Sequence, residues 1–184
     1  GANLRVMAPM VALESEAEWF ATAARAVGLD QVGVMIETPA SALLADRILR
    51  QVDFVSIGSN DLAQYTMAAD RTEPQLAAFL DPWQPAVLEL IGRAAAAGRA
   101  AGKPVGLCGE AGGDPALALV LVGLGVTSLS MAPPKIAAVR AALARHTLAQ
   151  CDQLAALAVQ APSADSAKQA VRQAAEPIIR ALML

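Results

Sequence analysis

Short apolar runs alternate with longer alanine-rich segments along this chain, and that alternation restricts the possible folds more than any other feature. Strands are expected at Leu4–Ala8, Gln31–Glu37, Asp53–Ile57, Pro104–Cys108 and Thr127–Met131. Between them the patterning predicts helices near Ser15–Val27, Pro39–Arg50, Gln84–Gly102, Pro115–Val122 and Pro134–Arg145. Ser15 suits an N-cap with Glu18 three residues on, and Pro39 and Pro134 suit first helical turns. Adjacent parallel strands need a long crossover, so the alternation predicts an α/β domain with a parallel sheet. A (β/α)8 barrel and an open doubly wound sheet are the two main ways to build one.

At 184 residues the chain can bury one substantial core. Hydrophobic residues make up 55% and aromatic residues 3%, so that core is expected to be aliphatic. A formal net charge of -3 offers no basic footprint, which argues against a nucleic-acid partner. Cys108 and Cys151 lie far apart with neither CxxC nor Cys/His spacing, as expected in a reducing cytoplasm. Residues 115–134 carry no charged side chain, but Gly123 and Gly125 interrupt them and Thr127–Met131 then alternates. This reads as helix, turn and buried strand, with no membrane insertion. No basic stretch precedes an apolar segment at the start, so no signal peptide is expected. From Ala155 to Ser166 the composition loosens into a Gln/Pro/Ser linker, and an amphipathic helix, Ala167–Met183, is expected beyond it, interrupted near Pro177. Residues 1–154 are thus expected to form the main domain, with 155–184 a linker and a helix packing on it.

The chemistry-bearing residues cluster where strands end. The apolar run Asp53–Ile57 breaks at Gly58 into a turn with Asn60 and Asp61, and Arg71 follows in a charged loop. Glu37 and Cys108 close two other strands, and the C-terminal ends of parallel strands are the active face in either fold. Glu37 and Asp61 can share one hard cation such as Mg²⁺, or can cap a helix and make an Asx turn; spacing leaves these even. Asn60 can face an anion or merely tolerate left-handed backbone, and Arg71 can be a bidentate donor or simply solvated. Cys108 reads as a small buried hydrophobe and Glu110 as a turn cap. Tyr65 reads equally as a packing residue or a ligand contact. His146, the only histidine, sits where it can interact with carbonyls at a helix end.

Three segments in order, Gly33–Ala40, Ser56–Arg71 and Gly106–Glu110, resemble consecutive signatures of the phosphoenolpyruvate-binding domain of Enzyme I, the phosphoenolpyruvate-protein phosphotransferase of bacterial sugar uptake. The likeness runs from about Leu4 to about Arg145. It implies a (β/α)8 barrel of which this chain is the later, incomplete portion. It further implies Mg²⁺ on Glu37 and Asp61, phosphoenolpyruvate held by Asn60, Asp61 and Arg71, and Cys108 as the acid that protonates enolpyruvate to pyruvate. The phosphoryl group would pass to a histidine on another domain of the parent protein and from there to the phosphocarrier protein HPr. This portion alone would then be inactive, and His146 lacks the family's setting for the acceptor. Arg5, Arg25, Arg47 and Arg50 match no binding position of the family. The family dimerises through this domain, and Trp83 with Gln84–Gly102 is a candidate contact. The parent is either a stand-alone Enzyme I or a fused multiphosphoryl transfer protein. Pyruvate phosphate dikinase and phosphoenolpyruvate synthase share the Glu, Asn-Asp and Cys-Gly-Glu arrangement, but Gln64–Arg71 and Asp81–Val87 favour Enzyme I. An inactive dimerisation module is the rival from another class.

Overall fold

The computed structural model describes residues 4–175, and the far end of the expected helix Ala167–Met183 lies outside them. Five strands form one parallel sheet: β1 (Arg5–Val11), β2 (Gln31–Ile36), β3 (Phe54–Gly58), β4 (Val105–Cys108) and β5 (Ser128–Leu129). Their spatial order is β1-β2-β3-β4-β5. A doubly wound sheet reverses its order at a switch point, and this one does not. Every crossover therefore runs the same way and stacks its helices on one face, as in a (β/α) barrel. Among the described residues the sheet does not close, and β1 and β5 are its outer strands. The described residues thus form an incomplete barrel.

The two faces of the sheet differ in chemistry because successive strand residues point opposite ways. Val32, Val34, Ile36, Val55, Ile57, Val105 and Leu107 are all at most 1% exposed and join the helices in one core. The other face carries Gly33, Met35, Phe54, Ser56, Gly106 and Cys108, which are small or only half-buried in most cases. Phe54 lies over Gly33, where any Cβ would collide with its ring, and Arg5 sits 5.7 Å above the same ring. The second face corresponds to a barrel interior.

The helices are α1 (Glu14–Ala26), α2 (Pro39–Leu43), α3 (Ala45–Gln51), α4 (Ser59–Thr66), α5 (Pro85–Ala101), α6 (Pro115–Leu124), α7 (Ile136–Leu143), α8 (Leu148–Gln160) and α9 (Ala164–Ala174). Ser15 is not the cap of α1. Leu13 is, and Glu16 rather than Glu18 reaches back to accept from the Ala12 and Leu13 N–H groups. The span expected as one helix from Pro39 to Arg50 divides at Leu44 into α2 and α3. Pro39 does open α2, with Thr38 accepting from Ser41 N as its N-cap. Residues expected to loosen into a linker are instead helical: α8 continues to Gln160, and Ser163 caps α9. Their Ala and Gln content supports helix once apolar positions are spaced to bury Cys151, Leu154, Ala155 and Ala158.

The charge-free stretch has a packing cause. Ala116 to Leu121 are fully buried because α5, α7 and α8 all pack against α6. Gly123 makes this approach possible, since a Cβ there would collide with the Cys151 carbonyl. Among the described residues no helix is long and apolar enough to cross a membrane. Trp83 is 2% exposed and donates from Nε1 to Asp114 Oδ2 at 3.0 Å, so it anchors the loop before α5 to the cap of α6. Its burial removes it as a candidate dimer contact.

Candidate functional site at the strand C-termini

Strand geometry carries Glu37, Asn60, Asp61 and Cys108 to the same rim. The register aligns Ile36 with Ile57 and Gly58 with Cys108, so Glu37 leaves β2 beside the end of β3, and Cys108 ends β4 on the other side. Glu37 is 5% exposed, the only carboxylate buried to this degree among the described residues. Its Oε2 accepts from Met10 N at 2.9 Å, and its carboxylate covers Gly58, where any Cβ would strike it. A polar group this far out of water needs such partners.

Beyond Gly58 the chain does not form the open turn expected from its sequence; it enters α4 directly. Asn60 and Asp61 are the second and third residues of that helix, whose positive end suits an acidic side chain. Arg71 curls back from the following loop and donates from Nη2 to Asp61 Oδ1. Both side chains are partly exposed, which leaves the guanidinium at the rim. The charged loop thus returns to the site instead of only facing solvent.

The Cys108 loop is tied to the same helix. Ser59, 1% exposed, donates from Oγ to the Cys108 carbonyl at 3.0 Å, and Asn60 Oδ1 accepts from Glu110 N at 3.4 Å. Gly109 has φ 106 and ψ -174, a conformation essentially restricted to glycine, and a Cβ there would collide with Ser59 Oγ. Cys108 itself is half-buried on the interior face, with Sγ 3.6 Å from Ser56 Oγ and 3.5 Å from the Ile57 carbonyl. It is not the sealed apolar cysteine that its neighbours in sequence suggest. A cavity of about 890 Å³ opens beside Asn60 and Glu110, walled by Trp83 and Lys135.

Sequence reasoning did not single out Met10, Ser56 or Ser59, which hold or adjoin the expected site residues. Gly58 and Gly109, beside Asp61 and Cys108, were the available signal. Tyr65 is exposed rather than packed, and His146 Nδ1 lies 2.9 Å from the Ala142 carbonyl at the end of α7, matching its expected place. No group of three or more His, Cys, Asp or Glu side chains converges on a point among the described residues. Of the carboxylates at this rim, Glu37 and Asp61 are the two that could hold a hard cation such as Mg²⁺ while leaving room for water and substrate oxygens.

The chain as a whole is similar to known proteins. Phosphoenolpyruvate-protein phosphotransferase from Streptomyces coelicolor is 52% identical over 170 residues, covering 92% of this chain and 31% of that protein. A multiphosphoryl transfer protein from Rhodobacter capsulatus is 41% identical over 170 residues, covering 89% of this chain and 21% of that protein. The chain therefore spans a third or less of the length of these relatives. Among solved structures, a citrate lyase from Burkholderia xenovorans superposes with a TM-score of 0.53 at 20% identity, over 98% of this chain and 68% of that one, a likeness of fold. The sequence profile described as "PEP-utilising enzyme, PEP-binding domain" matches residues 1–148, where PEP is phosphoenolpyruvate, and on this match together with the close relatives the chain belongs to that family.

Proposed function

We propose that this chain is the phosphoenolpyruvate-binding part of an Enzyme I or a fused multiphosphoryl transfer protein. In this reading it binds phosphoenolpyruvate and Mg²⁺ for phosphoryl transfer to a histidine on another domain, and through it to HPr. The observation that carries the reading is the joining of Asn60, on α4, to the Cys108–Glu110 loop, on β4, at the rim where Glu37 and Asp61 also stand. The names of the relatives favour it over a dikinase or synthase.

Each residue has a role set by its chemistry. Glu37 and Asp61 would hold the Mg²⁺, whose charge offsets that on the transferring phosphoryl oxygens. Arg71, steered by Asp61, presents a planar donor pair to the phosphate or carboxylate of the substrate. Asn60 offers its amide N–H to the same anion. As the P–O bond breaks, its electron pair stays on the enol oxygen while a P–N bond forms to the acceptor histidine. The resulting enolate takes a proton at carbon from the Cys108 thiol, giving pyruvate and a thiolate. The free thiols Cys108 and Cys151 suit a cytoplasmic protein. The open interior face and the unpaired outer strands support association as a two-fold dimer.

Calorimetric titration with phosphoenolpyruvate in excess Mg²⁺ tests the reading. Asn60→Ala should weaken binding about tenfold, the worth of a hydrogen bond to a charged group. Unchanged affinity would remove Asn60 from the site, and no binding by the parent chain would defeat the reading.

A further inference from the structure

We infer that a β-bulge at Pro9–Met10 is a positioning device for Glu37, acting through the Met10 backbone N–H. The inference rests on the reading of Glu37 as a metal ligand. Register shows the bulge directly: Ala8 pairs with Val34 and Val11 with Ile36, so three steps along β1 match two along β2. One residue is extra on β1. Bulges of this kind re-aim groups beside active sites, at the expense of ladder pairing.

The backbone at the bulge is unusual in the way such a role requires. Met10 has φ 57, one of only two non-glycine residues with positive φ among those described, and its neighbour Pro9 offers no N–H. A methionine gains nothing locally from the left-handed region, which side chains other than glycine, asparagine and aspartate rarely enter. In return the Met10 N–H turns away from the ladder and donates to Glu37 Oε2 at 2.9 Å. An extended residue at this place would direct that N–H along the sheet.

Opposite the N–H stands Gly58, whose missing Cβ gives the carboxylate its space. Glu37 is therefore fixed from two neighbouring strands, by a donor on one and a vacancy of side chain on the other. Partners that orient metal ligands in this way typically change metal affinity by 10–100-fold when lost. The Met10 side chain is 44% exposed and plays no part in the contact. The device is in the backbone, which explains why no polar side chain marks it in the sequence.

The experiment measures Mn²⁺ affinity of the 184-residue chain by water-proton relaxation, alone and with phosphoenolpyruvate, alongside thermal unfolding. Glu37→Gln must lose affinity; if it does not, or if the parent chain binds no Mn²⁺, the ligand reading fails and this inference falls with it. With that reading intact, deleting Met10 restores an even ladder and should lower affinity at least tenfold without lowering the unfolding temperature. Met10→Gly keeps both the N–H and the left-handed backbone and should bind as the parent does. If the deletion variant folds and keeps full affinity, or if Met10→Gly loses as much as the deletion, the bulge does not position Glu37. Should the deletion fail to fold, Gly58→Ala serves in its place, and full affinity there overturns the two-sided hold.

Discussion

Gly109→Ala separates backbone strain from collision at the site, with Gly102→Ala as its reference. Both glycines have positive φ, 64 at Gly102 and 106 at Gly109. At Gly102, the C-cap of α5, nothing lies within 4 Å of an added Cβ, so only the left-handed penalty applies, about 1 kcal/mol. At Gly109 the backbone lies in a region nearly closed to other residues, which costs about 1–3 kcal/mol. The new Cβ would also displace Ser59 Oγ and press on Asn60 Oδ1 at 3.1 Å, breaking the hydrogen bond to the Cys108 carbonyl and adding about 1 kcal/mol or more. Gly109→Ala should therefore destabilise by about 3 kcal/mol and Gly102→Ala by about 1. With a urea m value of about 2 kcal/mol/M, the midpoints should fall by about 1.5 M and 0.5 M. Equal shifts in the two variants would show that the Ser59–Gly109 contact is not tight, and the joining of α4 to the Cys108 loop would have to be abandoned.

Three further outcomes follow from other parts of the molecule. Burial works to raise the Asp53 carboxyl, but the Val32 N–H, the Arg25 guanidinium and nearby Lys103 outweigh it and hold the group below its ordinary value. A lowered folded-state pKa contributes stability that is complete above about pH 4 and is lost as pH falls through the folded value, so Asp53→Asn should flatten the acid limb of a pH–stability curve; an unchanged limb refutes the assignment. In a full-length parent, Cys108→Ala should leave phosphohistidine formation largely intact while slowing pyruvate release, and a parallel fall in both rates would give Cys108 a binding or packing role. Sedimentation equilibrium should show dimers, with exposed Met7, Leu13 and Trp19 beside the outer strand β1 as the apolar surface; a monomer at high concentration contradicts association.

Most of the strand–helix order was legible because apolar runs and alanine-rich helices differ in period, and the strand-end placement of Glu37 and Cys108 followed directly. What escaped has identifiable physical causes. The helix α4 begins without a side-chain cap, so Gly58–Asp61 reads as a turn although it is a helical start. Leu44 divides the helix after Pro39 without any glycine or proline to announce it. Residues 155–160 are Ala-Ala-Leu-Ala-Val-Gln and simply continue α8, whereas the Pro- and Ser-containing composition that resembles a linker begins only at Ala161. Trp83, expected as a candidate dimer contact, is instead enclosed, with its N–H taken by Asp114. Met10 contributes through its backbone and Ser59 through one buried hydroxyl, and neither contribution alters a sequence pattern. The family signatures named Asn60, Asp61 and Arg71, whereas the contact between Arg71 and Asp61 required coordinates.

Mn²⁺-induced broadening of backbone amide NMR signals, recorded with phosphoenolpyruvate present, tests the central claim that one rim carries the site. Amides of Glu37, Asn60, Asp61 and Glu110, at the C-terminal ends of β2, β3 and β4, should broaden most, and broadening should disappear in Asp61→Ala. Those of Val32, Asp53 and Val105, at the opposite ends of the same strands, should remain sharp. Broadening centred on the opposite end of the sheet, or spread evenly over the chain, would contradict the account.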